Sequence, residues 1–455
     1  MGKTFRAYDM NQQLLLPPDL RQWLREDHLA LYVSDVVESL DLSGIVKVYE
    51  EGDGRGRPPY HPALMVKLLV YGYCTGKMSS RKLEQATYDD VAFRVLSCNQ
   101  QPDHDSIAGF RKRHLQELGR LFVQVLQLCE RAGLVKLGHV AIDGTKIKAN
   151  ASKYQSLSYE RMKEAEQELA AEVGRLLDEA QRIDEEEDEL YGKGQRGDEL
   201  PEELRERETR LAKIRALKGE LEEEAKAAAA QKQAEKEQRA KGAKRARTNW
   251  RRKWVISDEG EILPLAKSKR NLTDADSRMM KDLVTQSFQQ GYNAQIGVDA
   301  QAQIIVGANV VQAENDQQQL VPMLQAVAQH LGRMPDAASA DGGYFSTAAL
   351  THEAVRGVNL HVPPNEREPE LGDTLPASAS VQQRMWQKLK SPAGRALYNQ
   401  RQAIVEPVFA QIKHLRGFRQ FLLRGLAQVE AEWLLVCMTH NLLKLFRATK
   451  QPRFT

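Results

Sequence analysis

The sequence predicts an α/β protein: a mixed sheet, preceded by an all-helical segment and interrupted by a long helical hairpin. Three observations carry that expectation. Apolar runs of strand length end in acid–glycine pairs at Asp143-Gly144 and Asp341-Gly342. The stretch from Ser158 to about Arg239 is rich in Glu, Ala, Lys, Leu and Arg, with helical periodicity and one break at Tyr191–Gly197. Residues 1–136 alternate short amphipathic segments with loop signals.

In chain order, the loop signal Glu51–Pro59 precedes a core helix, Pro62–Tyr73, closed by Gly76. Ser79-Ser80 opens the next helix, with Ser80 and Glu84 near capping-box spacing. A later helix, Ser106–His114, is basic at its far end. Helix, glycine turn, helix fits a DNA-reading helix-turn-helix, and it fits a plain bundle equally well. Residues 138–148 read as a strand with Asp143 at a sharp exit, and the two long helices that follow fold back as an antiparallel pair. A strand hairpin comes next, Tyr292–Asp299 and Ile304–Val311. Then helix (Gln318–Leu331), strand into Asp341, helix from Ser346, and strand Val358–Val362 alternate before a helical C-terminus. Parallel strands joined through helices cross over right-handed, so the first and fourth strands can lie side by side. Asp143 and Asp341 would then share one sheet end. The segmentation is 1–136 helical and DNA-binding, 137–156 first part of the core, 157–255 hairpin insertion with basic linker, and 256–455 second part of the core.

Composition bounds the class. The chain has 455 residues, 42% hydrophobic, enough for more than one core, and a net charge of +3. That charge is segregated. Residues 161–240 hold 16 Lys/Arg against 24 Asp/Glu, net −8, which leaves +11 elsewhere. Lys241–Lys253 holds seven basic residues and no acid. The asymmetry suits a polyanionic partner and one solvated arm. Cys74, Cys98, Cys129 and Cys437 have no zinc spacing and read as buried free thiols of a reducing compartment. No apolar run reaches the roughly 20 residues of a bilayer span, and no signal peptide is visible. The expectation is a soluble cytoplasmic protein with no membrane partner.

Strand ends in α/β folds face the ligand crevice, and hard cations such as Mg2+ take carboxylate oxygens. Asp143 and Asp341, with Glu406 on a helix through Ile412, therefore read as a metal site. Each has a bland counterpart: Asp-Gly as a turn, Glu406 before Pro407 as a first-turn acid. Lys413, two helical turns after Glu406, could meet a DNA phosphate. Arg251, Arg252 and Lys253, between Trp250 and Trp254, could track phosphates or belong to a charged linker. Asp274, Asp276 and Asp299 read as loop caps, and His139 and His440 as locally hydrogen-bonded.

The motifs Ala141-Ile142-Asp143-Gly144-Thr145-Lys146, Asp341-Gly342-Gly343-Tyr344 and Val405-Glu406-Pro407-Val408-Phe409-Ala410-Gln411-Ile412-Lys413 resemble the DDE transposases of bacterial insertion sequences. So do Asn271–Arg278, Thr439-His440-Asn441-Leu442, Arg57–Pro62 and Pro102–Ile107. The resemblance covers nearly the whole chain. It implies an RNase H-like core with Asp143, Asp341 and Glu406 as catalytic metal ligands for Mg2+ or Mn2+, two ions in all. It implies cleavage at the element's terminal inverted repeats, strand transfer into target DNA, a homodimer or higher oligomer on DNA, and nucleoid association. Tyr398, Arg401, Glu406 and Lys413 supply the four residue types of a Tyr-Arg-Glu-Lys signature, with four residues between Arg401 and Glu406 where three are common. Tyr398 and Arg401 join Lys413 as expected DNA contacts. A nuclease without strand transfer, and a catalytically silent DNA-binding or assembly protein, are the alternatives.

Overall fold

The computed structural model describes residues 19–50, 58–191, 202–240, 254–281, 286–365, 375–376 and 378–450. The expected loop residues 51–57, the hairpin break 192–197 and the basic run 241–253, with Arg251, Arg252 and Lys253, lie outside the described residues. The chain splits into two compact units: Met1–Ile147 with Asn293–Leu422 and Ala427–Thr455, and Lys148–Tyr292 with Leu423–Leu426. The helices before the first strand thus share a unit with the sheet, although composition sets them apart.

The helices of the first 131 residues are α1 (Leu29–Ser39), α2 (Ser43–Glu50), α3 (Pro62–Thr75), α4 (Ser80–Asp89), α5 (Val91–Leu96), α6 (His104–Arg113) and α7 (Leu115–Arg131). α3 is apolar on every face and is buried almost throughout. It starts with Pro62 in its first turn and ends at Gly76 in the left-handed region, φ 80. A side chain at Gly76 would also lie 2.8 Å from the Arg416 carbonyl, so only glycine fits. The expected Ser80–Glu84 box does not form. Ser79 is the N-cap without a side-chain bond, and Glu84 instead meets His104 Nδ1 at 2.8 Å.

The strands are β1 (His139–Lys148), β2 (Ser156–Ser158), β3 (Trp254–Ile256), β4 (Ile262–Pro264), β5 (Lys269–Asn271), β6 (Arg278–Lys281), β7 (Phe288–Asp299), β8 (Ile304–Val311), β9 (Ala337–Ser339) and β10 (Asn359–His361). In the first unit they are ordered β10-β9-β1-β7-β8. β9 is parallel to both β1 and β10, and β8 is antiparallel to β7. The strands that lead to Asp143 and Asp341, β1 and β9, are neighbours, as right-handed crossovers allow. The strand expected over 138–148 forms as β1, but the sharp exit expected at Asp143-Gly144 does not. The alternation Thr145-Lys146-Ile147-Lys148, with Ile147 buried, carries the strand straight on, so this Asp-Gly is not a turn.

Helices α10 (Leu320–Leu331), α11 (Thr347–Leu350), α12 (Val381–Lys390), α13 (Pro392–Ala410) and α14 (Leu426–Lys450) complete the list of regular elements. α7 and α10 pack on β8, and α12 and α13 on β10. α14 docks through its polar motif. Asn441 donates Nδ2–H to the Ile305 carbonyl and accepts from the Ile305 N–H, both at 2.8 Å, as a neighbouring strand would. His440 bonds the Gln303 carbonyl, and Thr439 accepts from buried Arg416. Cys74, Cys129 and Cys437 are buried thiols, whereas Cys98 is exposed, at φ 50 in a turn.

The second unit contains α8 (Tyr159–Tyr191) and α9 (Glu202–Ala240), running antiparallel. Their seam buries Tyr159, Met162, Ile214, Leu217 and Leu221, with Val173 against Leu211 further out. Each buried aliphatic contributes about 2 kcal/mol, against under about 1 kcal/mol for an exposed ion pair. The apolar seam therefore holds the pair together, and the ion pairs set its register. β2 and β5 pair antiparallel at its base, β3 pairs β4, and β6 pairs the leading residues of β7.

Candidate active site

The parallel register fixes the two aspartates. Ala141 pairs with Ser339, and two residues further along each strand stand Asp143 and Asp341. Asp341 is just past the end of β9, where it caps the turn Gly342–Tyr344 by accepting from the Gly343 N–H at 2.9 Å. Asp143 is held within its strand. Its Oδ1 accepts from the Gly144 N–H at 2.8 Å, and its Oδ2 accepts from Arg401 Nη1 at 3.2 Å. The pair is well shielded, with side-chain exposures of 21% for Asp143 and 11% for Arg401.

Burial pushes the Asp143 carboxyl up to about 6. Arg401 and the Gly144 N–H pull it down, while the charges of Asp341 and Asp316 push it up. A third acid therefore stands at this end of the sheet. Asp316, in the loop between β8 and α10, accepts from Asn293 Nδ2 and Gln295 Nε2, both at 2.6 Å. Gln295 is in turn bonded by the buried Tyr344 hydroxyl, and its carbonyl accepts from Trp433 Nε1. Burial and the charges of Asp316, Asp143 and Asp341 hold the Tyr344 hydroxyl well above its ordinary value. Sequence reasoning missed Asp316. Glu314-Asn315-Asp316 before a helix looks like any polar helix start, and only the packing of Asn293 and Gln295 marks it.

Two glycines keep this end of the sheet open. A Cβ on Gly144 would collide with the Gln295 amide and lie 2.9 Å from Asp316 Oδ1. One on Gly343 would lie 3.0 Å from Asp341 Oδ1 and 3.9 Å from Asp316 Oδ2. Carboxylate oxygens of Asp316 and Asp341 thus lie against these two glycines. Hard oxygen donors crowded with like charge fit a divalent cation.

Glu406 is exposed on α13. Among the described residues, no hydrogen bond or ion pair joins it to either aspartate, and no three His, Cys, Asp or Glu groups stand close enough to hold a metal. Pro407 is inside α13, not at its start, so Glu406 is not a first-turn acid. Proline removes the N–H that would bond the carbonyl four residues back; that carbonyl, of Ala403, accepts from Gln303 Nε2 at 2.9 Å. Four residues after Pro407, the helix widens into a π-turn, Gln411–Leu415. That turn carries Lys413, whose ammonium bonds the Thr145 hydroxyl and, at 3.1 Å, the Lys146 carbonyl. The Tyr398 ring lies 5.9 Å from the Arg401 guanidinium. So Arg401 and Lys413, both expected at DNA, are engaged with β1, Arg401 at Asp143 itself and Lys413 just beyond Gly144.

The other acids have local partners. Asp274 accepts from the Tyr292 hydroxyl, Asp276 from the Leu426 N–H and Asp299 from the Leu137 N–H. His139 bonds the Ser339 hydroxyl.

Two family models match the chain. Residues 18–113 match the transposase domain (DUF772), and residues 372–446 match the transposase DDE domain. No curated protein and no solved structure matches significantly. Among the described residues, no helix is long and apolar enough to cross a membrane. One transposase domain is matched ahead of the sheet and a transposase DDE domain across α12, α13 and most of α14, and together the two matches support a DDE transposase of an insertion sequence.

Proposed function

We propose that the chain cleaves DNA at the ends of its element and joins the freed ends to target DNA, on an RNase H-like core. The observation that carries this reading is the shared sheet end of Asp143 and Asp341, set by the parallel pairing of β1 and β9. Asp143, Asp341 and Glu406 would hold divalent metal, Mg2+ or Mn2+, as two ions. Bound there, the metal supplies an activated water or 3′-hydroxyl and stabilises the leaving oxygen. The chain's own part is positional. Arg401 and the Gly144 N–H fix the two Asp143 oxygens. Lys413 ties down the strand just beyond, and the Gly343 N–H orients Asp341. Tyr398 stacks near Arg401 and steadies it. Arg251, Arg252 and Lys253 add phosphate contacts, and the protein acts as a homodimer or larger assembly on DNA.

The test is cleavage of DNA carrying the element's inverted repeats, by purified full-length protein with Mg2+ or Mn2+. Asp143→Ala is expected to lower the cleavage rate about a thousandfold, the several kcal/mol a metal ligand supplies, while DNA binding persists. Equal cleavage by wild type and variant overturns the site. Cleavage without any joined product restricts the activity to a nuclease.

A further inference from the structure

Helical periodicity sorts the cations of α9 into two sets. Arg207, Arg215 and Lys218 face α8 and are neutralised there: Arg207 by Glu172 at 3.0 Å, Arg215 and Lys218 by Glu166 at 3.0 and 2.5 Å. Arg205, Arg210 and Lys213 lie on another face with Glu206 and Thr209. Those three are exposed, and none has a carboxylate partner among the described residues. They line a cleft of about 690 Å³ within the second unit, together with Gln155, Leu272, Thr273 and a fourth cation, Arg424. Arg424 is anchored there by donating Nε–H to the Asn150 carbonyl at 2.9 Å. Against four cations the lining has one acid, Glu206. The cleft is therefore basic inside a hairpin region whose overall charge is −8.

A protein surface that exists only to stay soluble gains nothing by leaving three cations unneutralised in a concavity, when carboxylates are abundant on the same two helices. Four convergent cations suit a ligand carrying repeated negative charge. A second feature adjoins them. Tyr154, next to Gln155 in the same turn, is 83% exposed, with the Lys153 ammonium 5.2 Å from its ring centre. An aromatic face left in water beside a basic cleft is what base stacking uses.

We infer that the cleft formed by Arg205, Arg210, Lys213 and Arg424 is a docking site for the phosphodiester backbone of DNA, with Tyr154 stacking on an unpaired base at its edge. The hairpin is thereby a DNA-gripping arm, despite its acidic total. The inference rests on the reading that this chain acts on DNA.

The experiment uses full-length protein and a fluorescein-labelled duplex of about three helical turns with a single-stranded tail. Affinity is measured by anisotropy over a range of salt concentrations. The triple variant Arg205→Gln, Arg210→Gln, Lys213→Gln should bind about ten- to a hundredfold more weakly in 0.1 M salt. Its plot of log affinity against log salt should be shallower by about 3, one for each lost phosphate contact. Tyr154→Ala should weaken binding only when the tail is present. All four side chains are exposed, so an unchanged melting temperature is expected and certifies the fold. Triple-variant affinity and salt slope equal to wild type overturn the cleft while leaving DNA binding intact. Polyglutamate displacing the duplex from wild type but not from the triple variant supports the cleft as the anion site. Polyglutamate binding with no effect of the substitutions on DNA assigns the cleft to an acidic protein surface and overturns the proposal. A wild type that binds no DNA overturns the parent reading and the cleft together.

Discussion

The sheet end and the helical hairpin treat charge in opposite ways. At the sheet end, Asp143, Asp341 and Asp316 are gathered with partial burial, and among the described residues Arg401 is the cation bonded to a carboxylate there. In the hairpin, Glu166 and Glu172 each meet oppositely charged partners across the α8–α9 seam. The first arrangement raises a carboxyl well above its ordinary value and stores repulsion; the second costs nothing and gains little. Strain of the first kind has no structural use. Carboxylates perturbed in this way cluster at functional sites.

Three measurements sharpen that contrast, the largest effect first. The sheet also buries a histidine. His361 on β10 is 2% exposed, and burial, with Lys388 and His139 nearby, pushes its pKa down from 6.5 to about 4. The folded state thus binds this proton less readily than the unfolded chain. Its stabilisation is complete above pH 6.5 and is lost as pH falls toward 4. Over that window wild type should lose about 3 kcal/mol that His361→Gln does not lose. Denaturant titrations giving both proteins one pH slope would break the assignment.

Next comes Gly144→Ala. The new methyl must displace the Gln295 amide and, through it, Asp316. DNA cleavage is expected to fall about ten- to a hundredfold, because a small misplacement at a reacting centre costs that much. Unchanged cleavage would show that the Gln295–Asp316 contact has no bearing on the chemistry. The smallest effect belongs to the hairpin: Glu166→Gln removes two partly exposed ion pairs and should cost under about 1 kcal/mol. A loss above about 2 kcal/mol would mean that the ion pairs, not the apolar seam, hold the helices.

Much of the sheet end was legible in the sequence, because its geometry follows from short-range patterns. Two apolar runs ending in Asp suggested that Asp143 and Asp341 can stand side by side, and the parallel register of β1 and β9 brings them together. The helix pair was legible for the same reason: periodicity is local. What escaped depends on packing. Asp-Gly reads as a turn, and only the continued pairing and buried Ile147 show β1 passing through it. Asp316 has no pattern around it. The spacing between Glu406 and Lys413 marks a helix face, yet not that Lys413 would be drawn onto β1 by a π-turn. The division of α9's cations was hidden by its acidic average, since a sum of charges carries no direction.

The hairpin is closed at its base. β2 and β5 are paired over Ser156–Ser158 and Lys269–Asn271, and the Tyr159 N–H donates to the Ser268 carbonyl at 2.8 Å. The chain leaves and returns at one stitched point. Whatever is spliced between Tyr159 and Ser268 meets the same two strands, so the arm behaves as an interchangeable cassette. Its length and charge can be redesigned at the bench with the socket left as it is.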